Sequence, residues 1–271
     1  KRRAAPRPGS EEMSGDDDPH GFPLVLHGDA DPTSTGGVAV CGFSTVGMVG
    51  VIAASNIVTA LDLKQLGTVI DRRFPPMALV HDEVPKHPVR VYQGDGLGVF
   101  TSEIQFPAET DVKFAETVLE WFTEGGFDRL FIIDGIVTPE LGEKESGDIH
   151  GVAATEEGRN RLRSAGIEPM QQGIVSGIAG WLLSEADRKG LDVTALLAEC
   201  NPMYPDARAA AVATEAFSEV ADIEVPLDSL LEDARQIEEN VRQMFEKSQQ
   251  MLPAPDDVEF QVRDGDDPMI G

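Results

Sequence analysis

Three short runs constrain this chain more than anything else in it. They are "GGVAVCGF" (Gly36–Phe43), "RLFIIDGI" (Arg129–Ile136) and "LDVTALLAEC" (Leu191–Cys200). Each is apolar at consecutive positions rather than alternate ones, so a strand built from it has no face fit for water. Such strands need cover on both sides. Between them lie segments of helical character: Met48–Leu63, Asp111–Glu124, Glu156–Ser164, Ser176–Gly190 and Pro205–Val220. Strands alternating with helices predict an α/β fold of three layers, α/β/α, around a mostly parallel sheet. Further strands are expected at Phe22–Gly28, Gly67–Pro76 and within Ile167–Ile174, and a short one within the polar stretch Val137–Thr155. Gly94-Asp95-Gly96, set between β-rich runs in Val89–Pro107, predicts an antiparallel hairpin.

One domain is expected over residues 22–252. Residues 1–21 open with the basic, proline-rich "KRRAAPRPGSEEM" and are set apart as a flexible or non-native arm, with Met13 the expected native start. Residues 253–271 read as a disordered acidic tail. Before that tail, Leu227, Leu230, Ala234, Ile237, Val241, Met244, Ser248 and Met251 follow a 3,4 spacing. This predicts a long C-terminal helix over 227–251 with a coiled-coil-like seam. Leu230, Ile237, Val241 and Met244 are its candidate oligomer contacts, though the stripe can equally pack on the protein's own sheet.

Charge narrows the partners. The formal net charge is -26, from 48 acidic and 22 basic residues. That excess repels nucleic acid and anionic membrane surfaces. The 22 basic residues are 7 Lys and 15 Arg. Scarce lysine beside abundant carboxylates points to a halophilic protein in a cytoplasm of high salt, where screening suppresses self-repulsion. Cys41 and Cys200 are the only cysteines and make neither a disulfide framework nor a zinc site. No apolar run reaches the ~18 residues of a spanning helix, and no signal peptide is visible.

The glycines of "VCGFSTVGMVG" invite a phosphate-binding reading, because strand, glycine-rich turn and helix is a common anion cradle. The residues do not complete one. Gly42 and Gly47 have P-loop spacing, but Met48 and Val49 stand where a lysine and a hydroxyl belong. Ser44 replaces the middle glycine of a dinucleotide fingerprint. Packing is the preferred reading: Gly42, Gly47 and Gly50 let a helix lie against a neighbouring backbone, and Gly177 and Gly180 repeat the device. No cofactor, metal or catalytic residue is assigned. His81, Asp82, Glu83 and His87 are read as a solvated loop, since Pro85 and Pro88 spoil a common presentation. Asp134 ends an apolar strand, where open α/β sheets place active groups. Glu140, Glu143, Asp148 and His150 follow it.

The ordered set of "GFSTVGMVG", "GTVIDRRFPP", "PVRVY", "LFIIDGI", "GIVSGIAGWLL" and "NPMYPDARAA" resembles the archaeal branch of the proteasome assembly chaperone type 2 family, from about Phe22 to Met251. The resemblance implies a nucleoside phosphorylase-like α/β/α fold, a homo-oligomer, and a chaperone that promotes assembly of the proteasome α ring. Some members of the family end in a hydrophobic–tyrosine–any tripeptide that docks between α subunits. This sequence ends Met269-Ile270-Gly271, with Ile270 where the tyrosine stands. Two function classes follow. One is a non-catalytic assembly chaperone binding α-type proteasome subunits. The other is an enzyme on a phosphorylase-like scaffold, using the Asp134–His150 loop. The incomplete catalytic signatures favour the first.

Overall fold

The structure, a computed structural model, describes residues 21–28, 36–81, 83–137, 147–228 and 230–232. Its elements alternate as the apolar runs require. Strands β1 (Leu24–Leu26) and β2 (Val38–Phe43) precede helix α1 (Val49–Ala60). Strands β3 (Lys64–Val69), β4 (Leu79–His81), β5 (Val84–Lys86), β6 (Val89–Gly94) and β7 (Leu97–Ser102) lead to α2 (Asp111–Glu124). Then come β8 (Arg129–Ile136), β9 (Ile149–Ala153), α3 (Glu156–Ser164), α4 (Gly177–Lys189), β10 (Val193–Glu199) and α5 (Ala207–Ala221).

Eight strands form one sheet in the order β1-β3-β6-β7-β2-β8-β10-β9, and β4 with β5 makes a separate ribbon. The centre, β7-β2-β8-β10, is parallel throughout. The pairings β1–β3, β3–β6, β6–β7 and β9–β10 are antiparallel. Two antiparallel steps return β3 to the direction of the central four, so most strands point one way.

Successive residues of the central strands feed opposite layers. Val38 and Val40 of β2, Phe131 and Ile133 of β8, and Leu196 and Ala198 of β10 pack toward α1, α3 and α5. Ala39 and Cys41, Leu130 and Ile132, and Ala195 and Leu197 pack toward α2 and α4. This is why those runs carry apolar residues at successive rather than alternate positions.

Local signals end several elements. Asp206 caps α5 by accepting from the Ala209 N–H (2.9 Å), and Thr155 caps α3 from the Gly158 N–H (3.0 Å). Gly190, in the left-handed region at φ 69°, stops α4. The hairpin of β6 and β7 turns through Asp95 and Gly96, with φ of 47° and 76°.

Three expectations need adjustment. α1 stops at Ala60, short of Leu63, because Asp62 takes a left-handed φ of 49°. β3 then starts at Lys64 rather than Gly67. Ile167–Ile174 contains no strand, only a single bridge between Gly151 and Pro169. The C-terminal seam is seen at its start alone. Leu230 is buried in this chain's own core beside α1 and α5, and Leu227 packs against the same cluster. Ile237, Val241 and Met244 lie outside the described residues, as do the rest of the 227–251 helix beyond Glu232, residues 1–20, the tail 253–271 and its Met269-Ile270-Gly271.

Candidate functional site

The central strands β2, β8 and β10 all deliver their carboxyl ends to one rim of the sheet, where open α/β folds leave a crevice. A cleft of about 530 Å³ opens there. Phe43, Thr45 and Val46 line it from the end of β2, Asp134 to Val137 from the end of β8, and Leu197 from β10. The segment from Met170 to Ala179, into the first turn of α4, forms the opposite wall, with Asp111 of α2 beside it. A shallower groove of about 450 Å³ shares Phe43, Thr45, Val46, Asp111 and Ile178 and extends to Gln105, Phe106 and Pro202.

Of the glycines that shape this rim, Gly42, Gly47 and Gly50 are buried against protein, whereas Gly177 is exposed. A Cβ on Gly42 would clash with the Gly50 carbonyl, and one on Gly50 would clash with the Ile133 carbonyl and stand 2.8 Å from the Phe43 nitrogen. Here α1 touches β2 and β8 backbone to backbone. Gly47, at φ +60°, faces Cys200, whose Sγ would lie 2.8 Å from a Cβ, and the Asn201 carbonyl at 3.1 Å. Its own carbonyl accepts from the Asp206 N–H (2.8 Å). The Cβ side of each of these three glycines is thus filled by protein: α1 and β8 backbone, Cys200 and Asn201. Gly177 (φ +65°) brings the start of α4 to the Asp111 carboxylate, 3.4 Å from an added Cβ. Gly180 lies against the Val175 carbonyl.

Asp134 is the charged group at the floor. Its Oδ1 accepts from the Thr45 hydroxyl and from the Gly135 N–H (2.8 Å). Burial pushes its carboxyl above the ordinary aspartate value, and those two donors pull it part of the way back. Burial first, and then Glu109, also raises Asp111. The thiols are inert. Burial lifts Cys41 far above the usual range, helped by Asp134. Cys200 is pushed up to about 12 by burial and then by Asp206 and Asp134.

His150 is not Asp134's partner. Both oppose Leu197 in the sheet, Asp134 from β8 and His150 from β9, with β10 between them. Two strand spacings separate them, about 10 Å. His150 Nε2 instead meets Glu199 Oε1 at 3.1 Å. Asp148 donates its N–H to the other Glu199 oxygen (3.4 Å). Glu140 and Glu143 lie outside the described residues. So does Asp82, and the ribbon of β4 and β5 carries the strand residues on either side of it. No three metal-ligating side chains come together among the described residues.

Comparison with known proteins decides the lineage. The model of the PAC2 family matches residues 39–245. The chain belongs to the PAC2 family. Solved relatives share its fold. It is similar to PbaA of Pyrococcus furiosus, described as an archaeal homolog of proteasome-assembly chaperone. The two are 28% identical with a TM-score of 0.75, over 85% of this chain and 94% of that one. PbaB of the same organism, described as an archaeal proteasome activator, shares the fold at a TM-score of 0.68 and 20% identity, over 83% and 99% of the two chains. An uncharacterized protein of Methanocaldococcus jannaschii is 26% identical over 79% of this chain and 88% of its own length. The expected lineage and α/β fold thus both hold.

Within this PAC2 chain, sequence reasoning found Asp134 through its place at a strand end. It missed Thr45, Asp111 and Glu199. A lone threonine after a strand carries no motif. Glu199 gains its role only when β9 folds back beside β10.

Proposed function

We propose that this chain is a non-catalytic proteasome-assembly chaperone that binds α-type proteasome subunits and acts as a homo-oligomer. The likeness to PbaA, over 85% of this chain and 94% of that one, carries the reading. The chemistry of the cleft supports it. Among the described residues its lining offers carboxylates and hydroxyls but no Lys, Arg or His, and the nearby thiols do not ionise at neutral pH. The rival reading, an enzyme working through Asp134 and His150, is weakened because a strand stands between them.

The test is co-expression with α-type subunits from a salt-loving archaeon, followed by native mass spectrometry in concentrated volatile salt. A specific complex and a higher yield of α rings are expected. Unchanged ring yield with no complex would sink the proposal. Met269-Ile270-Gly271 belongs to it as a weak docking segment, since Ile270 lacks the phenol hydroxyl. Ile270→Tyr should tighten binding, and removal of the three residues should loosen it without altering the fold. Light scattering in high salt tests the oligomer, and a monomer would remove that part alone.

A further inference from the structure

The cleft at the carboxyl ends of β2, β8 and β10 has a chemistry of its own, independent of proteasome binding. Its floor carries a carboxylate used on one side only. Both donors to Asp134, the Thr45 hydroxyl and the Gly135 N–H, go to Oδ1, and no described residue donates to Oδ2. A second carboxylate, Asp111, stands at the opposite wall beside Gly177. There it offsets the positive end of α4, whose first turn faces the cleft. Among the described residues that line the cleft there is no Lys, Arg or His to give Asp134 a counter-charge.

The remaining walls are largely apolar, with Gln172 and Ser176 the polar side chains among them. Phe43, Ile132, Ile178 and Leu197 are buried along the sheet and α4, and Met170 is half-buried. Two large apolar side chains, Val137 and Ile174, sit at the mouth. Ile174 is 96% exposed. A volume near 530 Å³ suits a small ligand or one long side chain.

We propose that this cleft binds a primary ammonium group carried on an apolar chain, with the ammonium on Asp134 Oδ2 and the chain against Ile178, Leu197 and Met170. An ammonium fits better than a guanidinium. The guanidinium fork wants both carboxylate oxygens at once, and Oδ1 is already committed to two donors. An anion is disfavoured by both carboxylates. The same head group is offered by a free alkylamine and by a lysine side chain of another protein.

The experiment is a titration of the full chain, in concentrated KCl, with n-hexylammonium, n-hexanol and hexanoate, followed by amide chemical shifts. High salt screens the general attraction of an acidic protein for cations, so what survives is specific. Saturable binding of hexylammonium is expected, with shifts at Thr45, Gly135 and Ile178. Asp134→Asn should weaken it about tenfold or more, the scale of a charge-assisted hydrogen bond. Asp62→Asn, the same change at an exposed site, should leave it intact. Acetyl-leucyl-lysyl-leucinamide separates the sources. Tighter binding than hexylammonium assigns the site to a lysine side chain, and failure to compete assigns it to a free amine. Equal binding of hexanol or hexanoate, shifts confined to other regions, or an unaffected Asp134→Asn protein would overturn the proposal. Should Asp134→Asn not fold, the shift map of the parent chain and the three-ligand comparison decide alone.

Discussion

At the scale of single residues, two kinds of constraint meet at the rim of the sheet. Gly50 is a steric constraint. An added Cβ meets the Ile133 carbonyl and the Phe43 nitrogen, both main-chain atoms of central strands that cannot swing aside. Gly50→Ala should therefore cost about 1–3 kcal/mol, the usual range for overpacking. An unchanged denaturation midpoint would show that α1 can lift off β2 freely. Asp134 is an electrostatic constraint. Its folded carboxyl titrates above the unfolded value of about 3.9, so between the two values the native state holds the extra proton. Stability therefore falls as pH rises through that window, and the penalty persists above it. Asp134→Asn keeps an acceptor for Thr45 and Gly135 but carries no charge. Its melting temperature should match the parent's at pH about 3 and exceed it at pH about 7. A variant less stable than the parent at neutral pH would show that ionised Asp134 helps hold the fold.

At the scale of elements, the hairpin gives a contrasting glycine. Gly96 has open space around it, yet its φ of 76° is one that a side chain resists. Gly96→Ala should cost about 1–2 kcal/mol through backbone conformation alone. Urea titration would read this, and a neutral result would mean that the turn can change type. That turn was legible because Gly94-Asp95-Gly96 states its own geometry. β2, β8 and β10 were legible because burial on both faces leaves a continuous apolar run. α1 ended early without a glycine to announce it: Leu61-Asp62-Leu63 continues the helical pattern, and only the left-handed φ of Asp62 breaks it. Ile167–Ile174 read as a strand because it is apolar at intervals, but Ile174 and Met170 are spent on the cleft instead. The site was half legible for the same reason. Asp134 follows from its own strand, whereas its neighbours Thr45, Asp111 and Leu197 arrive from three other elements.

At the scale of the whole molecule, charge dominates. With a net charge of -26, self-repulsion is large in dilute buffer. The Debye length falls from about 10 Å at 0.1 M salt to about 3 Å at 1 M. The melting temperature should rise between those concentrations, and a flat response would contradict the halophilic expectation drawn from composition. The topology has a different consequence, in time rather than in energy. β2 comes near the start of the chain but sits mid-sheet, between β7 and β8. On the ribosome it must wait for both. At ordinary translation rates β7 follows roughly 3–12 s later and β8 roughly 5–20 s later. Through that interval a nascent chain displays a wholly apolar strand with two unpaired edges, the kind of surface that neighbouring chains capture.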